Sequence, residues 1–298
     1  MGLVECVPNF SEGRRPEVLA PILDSIRGVP GVKLIDHSMD ASHNRAVVTF
    51  VGQGPACAEA AFRGIAKARE LIDLNHHQGE HPRIGATDVV PFIPLEGSSM
   101  AECVALAHAL GARVGRELAI PVYFYESAAR LPARKNLPDV RNIGFEKLRD
   151  AVASDPARKP DEGPTNALHP TAGATVIGAR FFLIAFNVNL ESTDLALAKE
   201  IAKKIREKDG GLPGIKAMGF FLDDLKCAQV SMNVCNYTAT GLERVYREIE
   251  TLARARGVEI RESELVGLAP RDSMPSGTAQ RVKLRGFDPS RQFIEALL

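Results

Sequence analysis

Short apolar runs alternate along this chain with stretches whose apolar residues recur three and four positions apart. LVECV (3 to 7) is an apolar run stopped by Pro8, and RPEVLAPILDSIRG (15 to 28) follows with helical spacing and closes on a glycine. VKLIDHS (32 to 38) and RAVVTFVG (45 to 52) are β-branched runs separated by a polar turn, which predicts a hairpin. A helical segment over 55 to 74 and a buried strand DVVPFIPL (88 to 95) complete the order β-α-β-β-α-β. A further helix over about 100 to 118 and the strand PVYFYE (121 to 126) come next. Residues 127 to 172 are polar and rich in Pro, Gly, Asn and Asp, a long connecting segment of the kind that carries function.

The pattern then restarts. RFFLIAFNVNL (180 to 190) reads as strand, followed by a helix over about 193 to 208, strands IKAMGFFL (215 to 222) and CAQVSMNVC (227 to 235), a helix over about 241 to 256, and short strands near 258 and 265. Both halves share one order. Interleaved β-α-β units of this kind predict an α+β fold of two ferredoxin-like subdomains related by duplication, over 1–178 and 179–298, with helices covering the sheets. The first loops echo one another, since Asn9 follows the first strand of one half while Asn187 and Asn189 end the first strand of the other. A cleft or tunnel between the halves is the expected ligand site.

Composition narrows the partner. The 298 residues carry 37 Lys+Arg against 37 Asp+Glu, so the chain lacks the basic field that nucleic acid or an anionic membrane surface requires. A small-molecule partner is expected. The five cysteines are odd in number, widely spread and without a C-x-x-C pair, which reads as a reducing compartment. No leader pattern opens the chain and the apolar stretch FFLIAF (181 to 186) falls far short of a membrane span, so the cytoplasm is the expected location.

The chemistry concentrates in HHQGEHPRIGATDVVPF (76 to 92), where His77 to His81 spell the zinc-peptidase pattern H-x-x-E-H. That pattern holds zinc only from a helix face, and Gly79 inside it and Pro82 after it both oppose helix, so no metal is expected. His76 and His77 read as surface residues closing the preceding helix. His81 stands in a glycine-flanked loop beside Glu80 and Arg83. A histidine there is either a proton-transfer group with its tautomer fixed by an adjacent carboxylate or a hydrogen-bonded loop residue. DHSMDASHNR (36 to 45) carries Asp36, Asp40, His43, Asn44 and Arg45 on a hairpin turn, a set that a merely solvated turn also explains. DEGPTNALHPTAGATVIGAR (161 to 180) repeats the grammar of the first cluster: glycine, a His-Pro pair, a Gly-Ala step, then a buried strand. The dinucleotide-like GQGPAC (52 to 57) lacks its last glycine, and no G-x-S-x-G elbow is present.

LVECVPNFSEGR, NRAVVTFVG, HHQGEHPRIGATDVVPFIP, PVYFYESAAR, GATVIGARFFLIAFNVNL, AQVSMNVCNY and SELVGLAP resemble, in order, the glutamate formimidoyltransferases, a family that includes the transferase half of formimidoyltransferase-cyclodeaminase. The resemblance runs from about residue 3 to 270. It implies a homodimer of two-subdomain chains that moves a formimino group from N-formimidoyl-glutamate to N5 of tetrahydrofolate, in histidine breakdown. It places the general base at His81, which Glu80 or a neighbouring acid would orient. Folate contact falls on Gly163, Pro164, Thr165, Asn166, Ala167, Leu168, His169, Pro170, Thr171 and Ala172. Asp36 or Asp40 balances the amidinium; some members place an acid two residues after the aspartate that corresponds to Asp36, where this chain has Ser38 and carries Asp40 instead. Arg45 and Arg83 are suited to substrate carboxylates, and Asn9 and Asn187 join the binding candidates. Tetrahydrofolate is the acceptor substrate, and the length read leaves no room for a cyclodeaminase domain. Three rival readings stay open: formyl transfer from N-formyl-glutamate, a non-catalytic folate-binding protein, and a metallohydrolase.

Overall fold

The structure, a computed structural model, describes residues 2–79 and 82–298, so Glu80 and His81 lie outside the described residues. The chain divides into two compact units, Met1–Arg180 and Phe181–Leu298, each a mixed α+β body with its own sheet.

In the first unit, β1 (Leu3–Cys6) and β2 (Asn9–Phe10) form one interrupted line. Both pair antiparallel with β4 (Arg45–Gln53) on one side and β5 (Thr87–Pro94) on the other. The interruption falls at Pro8, which has no N–H to give a ladder. This second short strand does not show in the pattern because two residues carry no period. β3 (Val32–Asp40) pairs antiparallel with β4, while β6 (Val122–Glu126) and β7 (Thr175–Ala179) extend the sheet in parallel beyond β5. The sheet therefore runs β3, β4, β1/β2, β5, β7, β6.

Helices α1 (Pro16–Arg27), α2 (Gly54–Leu71) and α3 (Met100–Leu118) cover this sheet. α1 buries Leu19, Ile22, Leu23 and Ile26; α2 answers with a stripe of small residues, Cys57, Ala60, Ala61, Gly64 and Ala68, that lets it approach closely. α3 starts where Ser99 accepts from the Glu102 N–H and the Glu102 carboxylate accepts from the Ser99 N–H, a reciprocal cap. The segment read as an irregular connection contains α4 (Leu137–Arg141) and α5 (Gly144–Ala151), the latter burying Phe145 and Leu148. α4 was hidden by brevity and α5 by the Pro- and Gly-rich stretch around it.

In the second unit, β8 (Ile184–Leu190), β9 (Ile215–Leu222), β10 (Cys227–Val234) and β11 (Ile260–Val266) make a fully antiparallel sheet in the order β11, β8, β10, β9. α6 (Leu195–Ile205) joins β8 to β9 and α7 (Leu242–Arg254) joins β10 to β11, each crossing over one intervening strand. Two short helices, α8 (Thr278–Arg281) and α9 (Pro289–Gln292), follow. The first unit holds the same four-strand order in β3, β4, β1 and β5. Asn187 and Asn189 lie in the closing half of β8, and one strand at 260–266 replaces the two short ones expected. The strand expected over 180–190 begins at Ile184; β7 belongs to the first sheet and β8 to the second. Among the described residues, no helix is long and apolar enough to cross a membrane.

Candidate functional site

The loop between α2 and β5 is tied strand-like to the loop before β7. Leu74 N donates to Thr171 O, Ala86 N to Ala172 O and Ala174 N to Ile84 O, each at 2.9 Å, and Asn75 Nδ2 donates to Pro170 O at 3.0 Å. Gly85 and Gly173 pair at the centre. A Cβ on Gly85 would stand 1.9 Å from Ala174 O, so only glycine allows this approach. The two His-Pro loops that the sequence singled out are thus neighbours within one unit.

Inside the second loop Leu168 and Ala172 are buried, while Gly163, Thr165, Asn166, Ala167 and Pro170 are exposed and Pro164, His169 and Thr171 lie between. His169 Nδ1 accepts from Ala172 N at 3.1 Å, which places the ring proton of the neutral form on Nε2. Burial, then the charge of Arg69, pushes His169 below the ordinary imidazole range. It presents a neutral donor.

His77 is not the surface residue its position suggested. α2 ends at Leu71 and a single 3-10 turn, Leu74–His76, follows; His76 is exposed, but the half-buried ring of His77 turns back into the protein. His77 Nε2 donates to Asn44 O at 2.8 Å and Nδ1 accepts from Arg83 Nε at 3.0 Å. With both nitrogens engaged, neither is open to a cation, which removes His77 as the first ligand of an H-x-x-E-H site. Burial lowers its proton affinity; the Asn44 carbonyl and Glu12 oppose this, and Arg83 and Arg14 add to it.

Asn44 is a junction. It holds a left-handed φ of 48°, its Oδ1 accepts from Gly13 N at 2.9 Å, and its Nδ2 donates to Gln78 O at 3.0 Å. Asparagine tolerates this backbone better than most residues. Glu12, 2% exposed, sits beside Gly13. Its carboxylate accepts from Arg14 N and Arg15 N at 3.0 Å and from Arg15 Nε at 2.7 Å. Burial raises its pKa, but these bonds prevail and hold it below the usual carboxylate range.

Because Glu12 is depressed in the fold, its contribution to stability is full above the ordinary carboxylate range and is lost as pH falls through its folded pKa. Glu12→Gln is expected to cost on the order of 1–2 kcal/mol at pH 7. Urea melts of the two proteins should converge on acidification; a gap that persists below pH 3 would mean that the charge is not the cause.

Asp88 is buried: Oδ1 accepts from Ile84 N at 2.7 Å and Oδ2 from Arg141 Nη1 at 3.0 Å. Arg45 shares this neighbourhood; burial and the charge of Arg141 lower its pKa, while Asp88 and Asp40 raise it. Arg83 is mostly buried and donates through Nη1 and Nη2 to the two oxygens of Glu146 at 3.0 and 2.7 Å, and through Nη2 to His77 O at 3.1 Å.

Other expected residues keep to local partners. Asp36, exposed on β3, accepts from His37 N at 2.8 Å, and Asp40, at the far end of β3, accepts from His43 N and His43 Nδ1, bonds that lower its pKa. Asn9 Nδ2 donates to Val7 O at 2.9 Å. Asn187 belongs to the second unit, where it donates to Glu264 at 3.4 Å. Sequence reasoning passed over Glu12, Asp88, Arg141 and Glu146 as site residues. Glu12 and Asp88 stand inside the quoted motifs, but nothing local marks Glu146, 63 positions from the arginine it holds.

Residues 3–180 match the family profile described as the formiminotransferase domain, N-terminal subdomain, and residues 185–283 that of the formiminotransferase domain. The chain is 48% identical over 290 residues to the glutamate formimidoyltransferase of Thermoplasma acidophilum, covering 97% of this chain and 95% of that one. It is 42% identical over 293 residues to the enzyme of the same name from Streptococcus pyogenes serotype M1, covering 98% and 97%. To the formimidoyltransferase-cyclodeaminase of Rattus norvegicus it is 44% identical over 274 residues, covering 90% of this chain and 50% of that protein.

Proposed function

The chain belongs to the formiminotransferase family, and from that premise we propose that it is a glutamate formimidoyltransferase, moving the formimino group from N-formimidoyl-L-glutamate to N5 of tetrahydrofolate. Near-complete coverage of two glutamate formimidoyltransferases carries this reading. The stitched loops support it: the segment bearing G-E-H-P-R and the folate segment 163–172 share backbone hydrogen bonds.

In the proposed reaction the N5 amine attacks the amidinium carbon and a tetrahedral centre forms. His81 takes the proton from N5 and delivers it to the glutamate nitrogen as the carbon–nitrogen bond to glutamate breaks, giving 5-formimidoyltetrahydrofolate and L-glutamate. Glu80 orients the imidazole. Asp36 or Asp40 balances the amidinium charge, and Arg45 takes a substrate carboxylate. Holding both reactants together supplies the entropic part of the acceleration. Residues 163–172, Asn9 and Asn187 serve binding. The two halves, with boundary near 178/179, are ferredoxin-like units related by duplication, a reading that their shared strand order supports. The enzyme works as a homodimer in the cytoplasm, with no metal.

The test is an assay with tetrahydrofolate and either N-formimidoyl-glutamate or N-formyl-glutamate, following the folate product by absorbance. Turnover is expected with the formimidoyl donor. Turnover with the formyl donor alone, or with neither, refutes the assignment.

A further inference from the structure

We propose that Arg83 and His77 are positioning residues that hold the loop carrying Glu80 and His81, and that Arg83 does not bind a substrate carboxylate. A guanidinium has five N–H donors, and at least four of those on Arg83 are spent within the protein: Nε and Nη2 on His77, Nη1 and Nη2 on Glu146. A second carboxylate could be held in bidentate fashion only by displacing Glu146.

The same bonds close the loop. Arg83 reaches back six positions to both the ring and the carbonyl of His77, so these two residues are fastened to each other. Each end is then anchored to a different part of the unit. The leading end binds the β3–β4 turn, where Asn44 accepts from the His77 ring and donates to Gln78 O. The trailing end binds α5, through Glu146 and through Phe145 N, which donates to Arg83 O at 2.9 Å. Gly79 seats the segment against the turn, its Cβ position lying 2.3 Å from His43 O.

The clasp requires one protonation state. Nδ1 of His77 accepts from Arg83, so the ring must be neutral with its proton on Nε2; a proton on Nδ1 would set two donors face to face. The charged groups facing His77 are Arg83, Arg14 and Glu12. The β3–β4 turn, the loop of Glu12 and Arg14 and, through Arg83, α5 thus converge on His77.

The inference rests on His81 as the base, and its test separates the two. His77→Ala and Arg83→Lys are each expected to lower kcat on the order of tenfold, from slight misplacement of the loop, with KM for both substrates held within about twofold. His77→Gln, which keeps a donor for Asn44 O, should recover much of the loss. A tenfold rise in KM with kcat intact for Arg83→Lys would instead make Arg83 a carboxylate binder and overturn the proposal. Histidine-15N NMR gives a readout independent of turnover: His77 is expected as the Nε2–H tautomer, with its Nδ1 resonance shifting in Arg83→Lys. A His77 carrying its proton on Nδ1 also overturns it. Should a His81→Ala enzyme keep full turnover, the base assignment fails while the tautomer signal of the clasp remains.

Discussion

His81→Ala is expected to lower kcat by a hundredfold or more while the protein melts as the native chain does. Loss of a single general acid/base typically costs two to four orders of magnitude, and the reaction proposed asks one group both to remove the N5 proton and to protonate the departing nitrogen. The anchors on either side of it, His77 and Arg83, are held by Asn44 and Glu146. Two further measurements sharpen the result. The acid limb of kcat/KM in the native enzyme should report an imidazole, and exogenous imidazole should restore part of the activity of the alanine variant. KM for both substrates should stay within a few-fold, since the ring acts in the transition state rather than in uniform binding. A folded variant that keeps native turnover would move the proton transfer to another group.

Period and punctuation carried most of the fold. β-branched runs bounded by turns gave β3 and β4, and the apolar stripe closing on Gly28 gave α1, because each buries one face against its own unit and the burial period is written locally. Short elements were invisible: β2 is two residues that continue β1 past Pro8, and α4 and α5 lie in a stretch whose Pro and Gly content reads as loop. β7 showed as the buried strand closing the 161–180 segment, but that it joins a different sheet from β8, four residues on, is not written in either run. At the site, spacing marked the two His-Pro loops because glycine and proline exclude helix there. It misjudged His77, since the partners that turn its ring inward, Asn44 and Arg83, are specified by the tertiary approach of the β3–β4 turn and not by its neighbours in sequence. The Arg83–Glu146 pair is the same case over a longer separation: charge type is legible in sequence, commitment to a partner is not.

Asp88→Ala should be the most destabilising single change at this site, by about 3–5 kcal/mol, the usual cost of breaking a buried ion pair by removing one partner. The carboxylate is 2% exposed as a residue and performs two tasks, accepting from the Ile84 N–H and from Arg141. Its loss strips a buried backbone donor of its acceptor and leaves Arg141 and Arg45, whose charges already oppose one another, without the anion between them. At this size the thermal midpoint should fall on the order of 10 °C. Asp88→Asn, which keeps an acceptor for Ile84 N but no charge, should fall between alanine and native, separating the hydrogen bond from the ion pair. Asp40→Ala is the control: its carboxylate is exposed at the β3–β4 turn, where it accepts from His43, so the midpoint should not move. Because Asp88 holds Ile84, the residue after Arg83, activity should fall even where the variant remains folded. If Asp88→Ala instead melted with the native protein, the Arg141 pair would be dispensable, and Ile84 N would have to find another acceptor on the loop that the pair now fixes.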